Sequence, residues 1–369
     1  MSVNDDLRRE LEALREGGLL REPEGPVGAE LDVCRNDYLG YARRVVSRET
    51  VAPLGAGASR LIFGTSPEHL ALEAEVADWV GQPAALLFSS GYVANLATVQ
   101  ALVRPGDTVV SDELNHASII DGCRLCRGRT VVVPHLDREA METALAMPCE
   151  GRRWLITESY FSMDGDSPDL VALRALCDRY DAALIVDEAH ALGIFGDSGA
   201  GLCRAARIMP DVQMGGFGKA VGSQGAFIAG SAAVIETLWN RARGFVFSTG
   251  MSPLLAEFTL ANVRAVRRDD PARDRLGSLC RRFAERLDGA PTGFSRGRHG
   301  PIFPVVFGGE ERALRASRRL RDEGFLTQAI RPPTVASGAS RLRVALHADL
   351  DEERALMLAD SLRRLCLES

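Results

Sequence analysis

The 369-residue sequence contains a single lysine, Lys219, although lysine and arginine together number 44. Arginine therefore supplies almost all of the positive charge. Arginine keeps its proton at ordinary pH, whereas a lysine amine can lose its proton and react with an aldehyde. Lys219 also ends the glycine-rich stretch Gly-Gly-Phe-Gly-Lys, a setting that a solvated surface lysine does not need. An arginine-biased genome explains the scarcity of lysine but not this placement.

The sequence also lacks long apolar runs, a signal-like N-terminus and basic tracts, which argues against membrane, secreted and nucleic-acid-binding proteins. No apolar run approaches the ~20 residues that a membrane-spanning helix needs. The N-terminus is polar and acidic, unlike a signal or transit peptide. The net charge is −6 and no basic tract stands out, which argues against binding to a long nucleic acid. We expect a cytoplasmic protein with no membrane or nucleic-acid partner.

The eight cysteines include one CxxC pair, Cys123 and Cys126. A zinc site would need a second pair of ligands at similar spacing, and the sequence has no second CxxC. The pair falls in a predicted helix over residues 117–127, where positions three apart share a face. Packing is therefore the favoured interpretation, and no metal site is expected.

Short apolar segments alternate with amphipathic helical segments from residue 84 to residue 229. This alternation predicts an α/β fold with a mainly parallel sheet and helices on both faces. A long helical stretch over 254–289 breaks near Pro271, and a small α+β domain follows. The predicted division is an N-terminal helix and arm over 1–45, a large α/β domain over 46–255, and a linking helix with a small C-terminal domain over 256–369.

Polar side chains follow several of the predicted strands, at the sheet edge where such folds bind ligands. Ser-Ser-Gly-Tyr at 89–92 follows strand 84–88 and opens a helix, as in anion sites made of backbone N–H groups. His116 follows the next strand. Asp187 and His190 follow strand 182–186, and Lys219 comes 32 residues after Asp187.

Pyridoxal 5′-phosphate needs each of these groups. Its aldehyde needs the amine of Lys219, and its phosphate needs an anion site. A buried Asp187 would keep the ring nitrogen protonated, which makes the ring an electron sink. His116 could stack on the ring, and His190 could reach the phenolic oxygen.

Two alternatives compete with this interpretation. A single histidine is more often a core residue bonded to backbone than a functional group, so His116 and His190 gain weight only together with Asp187 and Lys219. The Asp-Glu-Ala-His string at 187–190 also occurs in helicases, but a GxxxxGK[ST] phosphate loop upstream is absent.

Several strings of the sequence resemble the α-oxoamine synthases, a subfamily of fold-type-I pyridoxal-phosphate enzymes. They stand in the family's order and span nearly the whole chain: NDYLG (36–40), LLFSSGYVAN (86–95), DELNHASIIDG (112–122), ESYFSMDGD (158–166), DEAHALGIFGDSGAGL (187–202), GFGKAVGSQGA (216–226) and IRPPTVASGASRLRVAL (330–346).

The resemblance implies a homodimer with active sites at its interface and a Schiff base on Lys219. It gives Asp187, His116 and His190 the cofactor roles described above. Further cofactor contacts are implied at Gly91, Tyr92, Ser162, Gly216 and Thr249. Thr249 would reach the phosphate bound by the partner subunit. At Gly216 the family usually has Thr or Ser, whose hydroxyl bonds the phosphate.

The resemblance also implies the substrates. Asn36 and Arg343 match substrate-side positions, with Arg343 as the clamp for the amino-acid carboxylate. Arg21 and Thr334 match acyl-substrate positions of the member that condenses L-alanine with pimeloyl-CoA, or a pimeloyl carrier protein, to 8-amino-7-oxononanoate, CO2 and CoA in biotin biosynthesis. The alternatives are a glycine C-acetyltransferase (2-amino-3-ketobutyrate CoA ligase), a condensing enzyme of secondary metabolism, an aminotransferase or a non-catalytic relative.

Overall fold

The structure is a computed structural model that describes residues 3–20, 31–44, 52–292 and 300–368. The chain divides into two compact units. Unit 1 combines residues 1–35, 163–165 and 275–369, and unit 2 combines residues 36–162 and 166–274. The three-part division predicted from the sequence stays a prediction.

Strands and helices alternate along most of the described chain. The strands are β1 (Leu31–Asp32), β2 (Ala84–Phe88), β3 (Thr108–Asp112), β4 (Arg129–Val133), β5 (Arg153–Glu158), β6 (Ala182–Asp187), β7 (Val212–Gly216), β8 (Ala226–Gly230), β9 (Ile302–Gly308), β10 (Phe325–Leu326), β11 (Gln328–Ile330) and β12 (Ser340–Ala345). The α-helices are α1 (Val3–Glu16), α2 (Pro67–Val80), α3 (Gly91–Leu102), α4 (Ala117–Leu125), α5 (Arg138–Ala146), α6 (Leu170–Arg179), α7 (Leu202–Ala205), α8 (Ala232–Arg241), α9 (Arg243–Val246), α10 (Pro253–Arg267), α11 (Asp270–Leu287), α12 (Glu310–Asp322) and α13 (Glu352–Leu367). Among the described helices, none combines the length and apolarity needed to cross a bilayer.

Unit 2 is organised around a seven-stranded sheet in the order β2-β8-β7-β6-β5-β3-β4. Strand β8 runs antiparallel to both of its neighbours, and the other neighbouring strands pair in parallel. The prediction of a mainly parallel sheet is therefore confirmed. Parallel strands of one sheet end at a common edge, so the polar residues that follow β3, β5, β6 and β7 are brought towards one another.

Both faces of this sheet are covered. Along β5, Trp154 and Ile156 are buried in the apolar cluster on one face, and Leu155 is buried in the cluster on the other. Strand β7 is absent from the predicted strands, because its sequence Val-Gln-Met-Gly-Gly has little apolar character. It nevertheless pairs with β6 and β8 and is fully buried.

Unit 1 contains a three-stranded antiparallel sheet in the order β11-β12-β9 and a parallel pair, β1 with β10. Helix α12 packs on this sheet. The predicted helical break near Pro271 is confirmed, since α10 ends at Arg267 and α11 begins at Asp270. The helix predicted over 117–127 is shorter than expected and ends at Leu125.

Candidate active site

Three chemically important residues predicted from the sequence, His116, Asp187 and Lys219, come together in unit 2. Asp187 is the last residue of β6, Lys219 lies in the turn after β7, and His116 caps the N-terminus of α4. The charges of Asp187 and Lys219 both act on the His116 ring. They also act on a fourth group, the carboxyl of Glu158 at the end of β5.

Asp187 is fixed by two hydrogen bonds. It is 6% exposed, its Oδ2 accepts from Asn95 Nδ2 at 2.7 Å, and its Oδ1 accepts from the backbone N–H of Ala189 at 2.8 Å. The carboxylate is therefore held in one orientation at the end of β6.

A short chain of buried side chains connects Asp187 with His116. The amide of Asn95 also donates to Ser118 Oγ at 3.1 Å, and Ser118 Oγ lies 2.7 Å from His116 Nδ1. The backbone N–H of Ser118 also donates to Nδ1, at 3.3 Å. We therefore assign Nδ1 as an acceptor, which places the proton of the neutral ring on Nε2.

The electrostatic surroundings favour this neutral ring. Desolvation lowers the pKa of His116, Asp187 opposes this by raising it, and Lys219 lowers it further, so the net shift is downward. His116 is exposed at the site and its Nε2–H is a hydrogen-bond donor. The edge of the Tyr92 ring packs against it, with ring centroids 6.3 Å apart.

The sequence reasoning gave Glu158 no role. It is 3% exposed and is the register partner of Asp187 on the neighbouring strand. Burial raises its pKa well above the ordinary value, and Asp187 raises it further, although backbone N–H groups of His116 and Ser162 and the charge of Lys219 oppose the shift. Its buried Oε1 has no hydrogen-bond partner among the described residues. The available signal was its position directly after the apolar residues 154–157, as the first residue of the string ESYFSMDGD.

His190 belongs to a second hydrogen-bonded chain in unit 2. Its Nδ1 lies 2.7 Å from Tyr38 Oη, and both side chains are buried. Tyr38 Oη donates to Asn36 Oδ1 at 3.2 Å. The structure therefore connects a predicted cofactor residue with a predicted substrate residue through Tyr38, which had no predicted role.

The turn before α3 has the features of an anion site. The Ser90 side chain caps the helix by accepting from the N–H of Val93 at 3.2 Å. The N–H groups of Gly91 and Tyr92 lie in the first turn, where no intrahelical acceptor exists. A Cβ at Gly91 would lie 2.9 Å from Met214 Cε, the flexible end of that side chain, so a small shift of Met214 would accommodate it.

The two glycines that end β7 differ in the space around them. A Cβ at Gly215 would lie 2.3 Å from the Phe227 ring. At Gly216 the nearest atom would be Ala189 Cβ at 3.4 Å, an ordinary contact distance. The missing hydroxyl at Gly216 is therefore not a steric requirement of the sheet.

Hydrogen bonds to β3 and β5 fix the loop that ends in His116. The amide of Asn115 donates to Ser111 Oγ and to the carbonyl of Ile156, both at 2.9 Å.

His135 lies between two buried carboxylates, with Nδ1 2.9 Å from Asp112 and Nε2 3.0 Å from Asp166. Burial lowers the pKa of His135, but the two carboxylates outweigh it and raise the pKa to about 10.

The other predicted site residues lie in unit 2, in unit 1 or outside the described residues. Ser162 is half-buried, and Thr249 is exposed and pairs with Ser59 in an isolated β-bridge of unit 2. In unit 1, Arg343 is buried in β12 and Thr334 is exposed after β11. Arg21 lies outside the described residues.

The sheet and the residues at its edge define an α/β enzyme of the fold-type-I class. The family model for aminotransferase class I and II matches residues 30–362. The chain therefore belongs to the aminotransferase class I and II family, and the resemblance seen in the sequence is confirmed.

Individual relatives place the chain more narrowly. It is 47% identical over 367 residues to the 8-amino-7-oxononanoate synthase of Anaeromyxobacter dehalogenans, covering 94% of this chain and 92% of the relative. The synthase of the same name from Methylococcus capsulatus is 44% identical, covering 90% and 88%. A solved structure of SPT with a PLP internal aldimine has a TM-score of 0.88 at 25% identity, covering 98% and 96%. These likenesses confirm the predicted fold class.

Proposed function

We propose that this protein uses pyridoxal 5′-phosphate to condense L-alanine with a pimeloyl thioester, giving 8-amino-7-oxononanoate and CO2 and releasing the carrier, in biotin biosynthesis. The observation that supports the cofactor chemistry is the meeting of the only lysine with His116, Asp187 and Glu158 at one sheet edge. The two relatives named for this reaction support the choice of substrates.

The residues present fit this cofactor. Asp187 is a buried carboxylate with both oxygens oriented by N–H donors, as a partner for a protonated ring nitrogen requires. The opening turn of α3 offers N–H donors to a phosphate, and Gly216 leaves space beside Ala189. His190 and Ser162 complete the proposed contacts. When bound, the cofactor supplies an electron sink for the charge that develops at the α-carbon of the amino acid.

Lys219 supplies the amine for the cofactor's aldehyde and, when released, takes the α-proton of alanine on Nζ. Its position suits both tasks, because the turn that follows β7 is fixed by backbone bonds. The N–H of Gly222 donates to the carbonyl of Lys219 at 2.9 Å, and the N–H of Ser223 donates to the carbonyl of Phe217 at 2.8 Å. The side chain of Lys219 is half-buried.

His116 acts on the acyl donor. A neutral ring with its proton on Nε2 can donate a hydrogen bond to the thioester oxygen as negative charge develops there. Such a preorganised donor stabilises the transition state more than the ground state. His116 is also the residue that would stack on the ring of the bound cofactor.

The substrate roles are proposed on the family positions. Arg343 binds the alanine carboxylate, and Asn36 is oriented for its substrate contact by the hydrogen bond from Tyr38. Arg21 and Thr334 bind the acyl substrate. The protein works as a homodimer in which Thr249 contacts the partner's cofactor phosphate. Exposed apolar side chains beside Thr249 support such an interface, with Phe63 89% and Phe247 73% exposed.

A substrate panel tests the proposal. The purified enzyme is given PLP, then Ala, Gly or Ser with pimeloyl-CoA, acetyl-CoA or pimeloyl carrier protein, and release of free thiol is followed. We expect the fastest release with alanine and a pimeloyl thioester. Preference for glycine with acetyl-CoA would indicate the C-acetyltransferase instead, and amino transfer without thiol release would indicate an aminotransferase. Lys219→Arg keeps the charge but removes the amine, so normal turnover by this variant would refute the assigned mechanism.

A further inference from the structure

A buried histidine to which the proposed chemistry gives no role, His69, contacts the segment that carries Thr249. His69 lies in the first turn of α2 and is fully buried. Its Nε2 lies 2.7 Å from the carbonyl oxygen of Met251. Since Met251 is two residues after Thr249, this bond restrains the chain beside a residue that is proposed to reach the partner's cofactor phosphate.

The two hydrogen bonds of the His69 ring determine which nitrogen carries the proton. The backbone N–H of Ser66 donates to Nδ1 at 3.1 Å, so Nδ1 is an acceptor. The carbonyl of Met251 can only accept, so Nε2 is the donor. Burial lowers the pKa of His69, and the charge of Arg60 lowers it further, so that the net shift is downward. The ring is therefore a neutral donor with one fixed orientation.

Thr249 lies in the connector between α9 and α10, and its other contacts come from an irregular stretch. Thr249 pairs with Ser59 in an isolated β-bridge, and the N–H of Gly250 donates to the carbonyl of Ala58 at 2.9 Å. Residues 52–66, all of them described, contain no helix and no strand longer than this bridge. His69 differs from these partners because it belongs to α2, which packs on β2 and α10. Its bond to Met251 therefore joins the connector to a regular element of the fold.

We propose that His69 is a positioning residue that acts through Met251 to set Thr249 for its contact with the partner's cofactor phosphate. The inference rests on the proposed homodimer and on its use of PLP. Hydrogen bonds weaken steeply as their geometry departs from linear, so freedom in the connector would weaken a bond from Thr249 to a phosphate. Loss of the His69 donor should thus impair cofactor binding in the opposite subunit.

Two substitutions separate the two hydrogen bonds of His69. In His69→Asn the amide oxygen can take the place of Nδ1 and accept from Ser66, but the side chain is too short to reach the carbonyl of Met251. In His69→Gln the longer side chain can place its NH2 group where Nε2 lies and donate to Met251, whereas the bond from Ser66 is lost. Each variant loses one buried hydrogen bond, so a purely structural role of His69 predicts similar effects of both.

PLP binding can be followed at Lys219 without turnover. Borohydride reduces the imine between PLP and Lys219 to a stable secondary amine, and mass spectrometry then measures the labelled fraction of the Lys219 peptide at each PLP concentration. We expect His69→Asn to need roughly tenfold more PLP for half-labelling, as the loss of one charge-assisted hydrogen bond would give. His69→Gln should stay close to the wild type. Thermal midpoints check that both variants fold.

Equal labelling curves for the wild type and His69→Asn would overturn the inference. Equal losses in the Asn and Gln variants would overturn it as well, because they would show that His69 only stabilises the fold.

Mixed dimers, purified through two different affinity tags, test whether the effect crosses the interface. When a His69→Asn subunit is paired with a Lys219→Ala subunit, the only site with a lysine receives Thr249 from a subunit with an intact His69, so it should label as the wild type does. When a wild-type subunit is paired with a His69→Asn/Lys219→Ala subunit, the only such site receives Thr249 from the altered subunit and should show the roughly tenfold loss. The reverse pattern, or equal labelling of both dimers, would overturn the inference.

The same experiments separate this inference from the proposed function. If the wild type labels at Lys219 and condenses alanine with a pimeloyl thioester while His69→Asn behaves identically, the inference fails and the function stands. If labelling depends on His69 across the interface but no acyl donor is condensed, the inference is supported and the proposed reaction is refuted. A wild-type protein that takes up no PLP at Lys219 would refute both.

Discussion

The hydrogen-bonded chain from Asp187 to His116 gives the sharpest prediction. In Ser118→Ala the hydroxyl that bonds His116 Nδ1 at 2.7 Å is removed, and the amide of Asn95 loses its acceptor at 3.1 Å. Asn95 and Ser118 are buried, so water does not readily replace the missing hydroxyl as the acceptor for Asn95. Leaving a buried donor without an acceptor costs about 1–3 kcal/mol, and the lost bond itself is worth about 0.5–1.5 kcal/mol.

These losses should appear in catalysis more than in cofactor binding. Asp187 keeps its bonds to Asn95 and to the N–H of Ala189, so the affinity for PLP should change little. His116 keeps only the weaker bond from the Ser118 backbone, so its ring can turn and its proton can move to Nδ1. A loss of about 1.4–2.7 kcal/mol of transition-state stabilisation corresponds to a roughly tenfold to hundredfold lower kcat/KM.

The assay is thiol release as a function of pH, together with PLP titration. A donor to Nδ1 favours the neutral ring, so its removal should raise the pKa of His116 and move the acidic limb of the kcat/KM profile to higher pH. Ser231→Ala is the matched control, since it removes a similar hydroxyl at the N-terminus of α8. Wild-type kcat/KM and an unshifted profile in Ser118→Ala would refute the assigned tautomer.

Three further predictions concern the cofactor site and the fold. Gly216→Thr adds a hydroxyl that can bond the cofactor phosphate, and such a charge-assisted hydrogen bond is worth about 1.5–3 kcal/mol, so PLP affinity should rise by roughly tenfold. PLP titration measures this change. The control Gly215→Ser should instead destabilise the protein, since its Cβ would meet the phenyl ring of Phe227. His135→Asn should lower the free energy of unfolding most below pH 6.5 and less as the pH rises towards 10, because the His135 ring stabilises the fold only while it is protonated. Urea titrations at pH 6 and 9.5 test this. An equal loss of stability at both pH values would contradict it. Arg60→Met breaks a buried bidentate pair with Glu73 and should cost roughly 3–5 kcal/mol, much of it recovered by adding Glu73→Leu; denaturant unfolding measures both.

Much of the fold could be predicted because its apolar periodicity is strong. The strands before Asp187 and before Glu158 are nearly continuous apolar runs between helical segments. Strand β7 could not be predicted, because Gly215 and Gly216 carry no side chains to show a pattern. Its place in the sheet is set by its neighbours β6 and β8, and pairing of this kind is a tertiary property.

The candidate site divides in a similar way. Lys219, Asp187 and His116 could be selected because each side chain has a chemical property that the cofactor needs. Asn95 and Ser118 stand in the same strings, but an amide and a hydroxyl have many possible roles. Only the folded geometry shows that they join one functional group to another.

The protonation state of Glu158 affects the net charge of the buried site. Glu158 and Asp187 are register partners on adjacent strands. If both of these buried carboxyl groups were ionised, their like charges would repel each other. Burial and the charge of Asp187 raise the pKa of Glu158, so Glu158 favours its protonated form and adds no second negative charge beside Asp187. His116 is held neutral by the same surroundings. The site is thus left with one fixed anion beside one amine, which is the charge arrangement that a protonated pyridine ring and its aldehyde require.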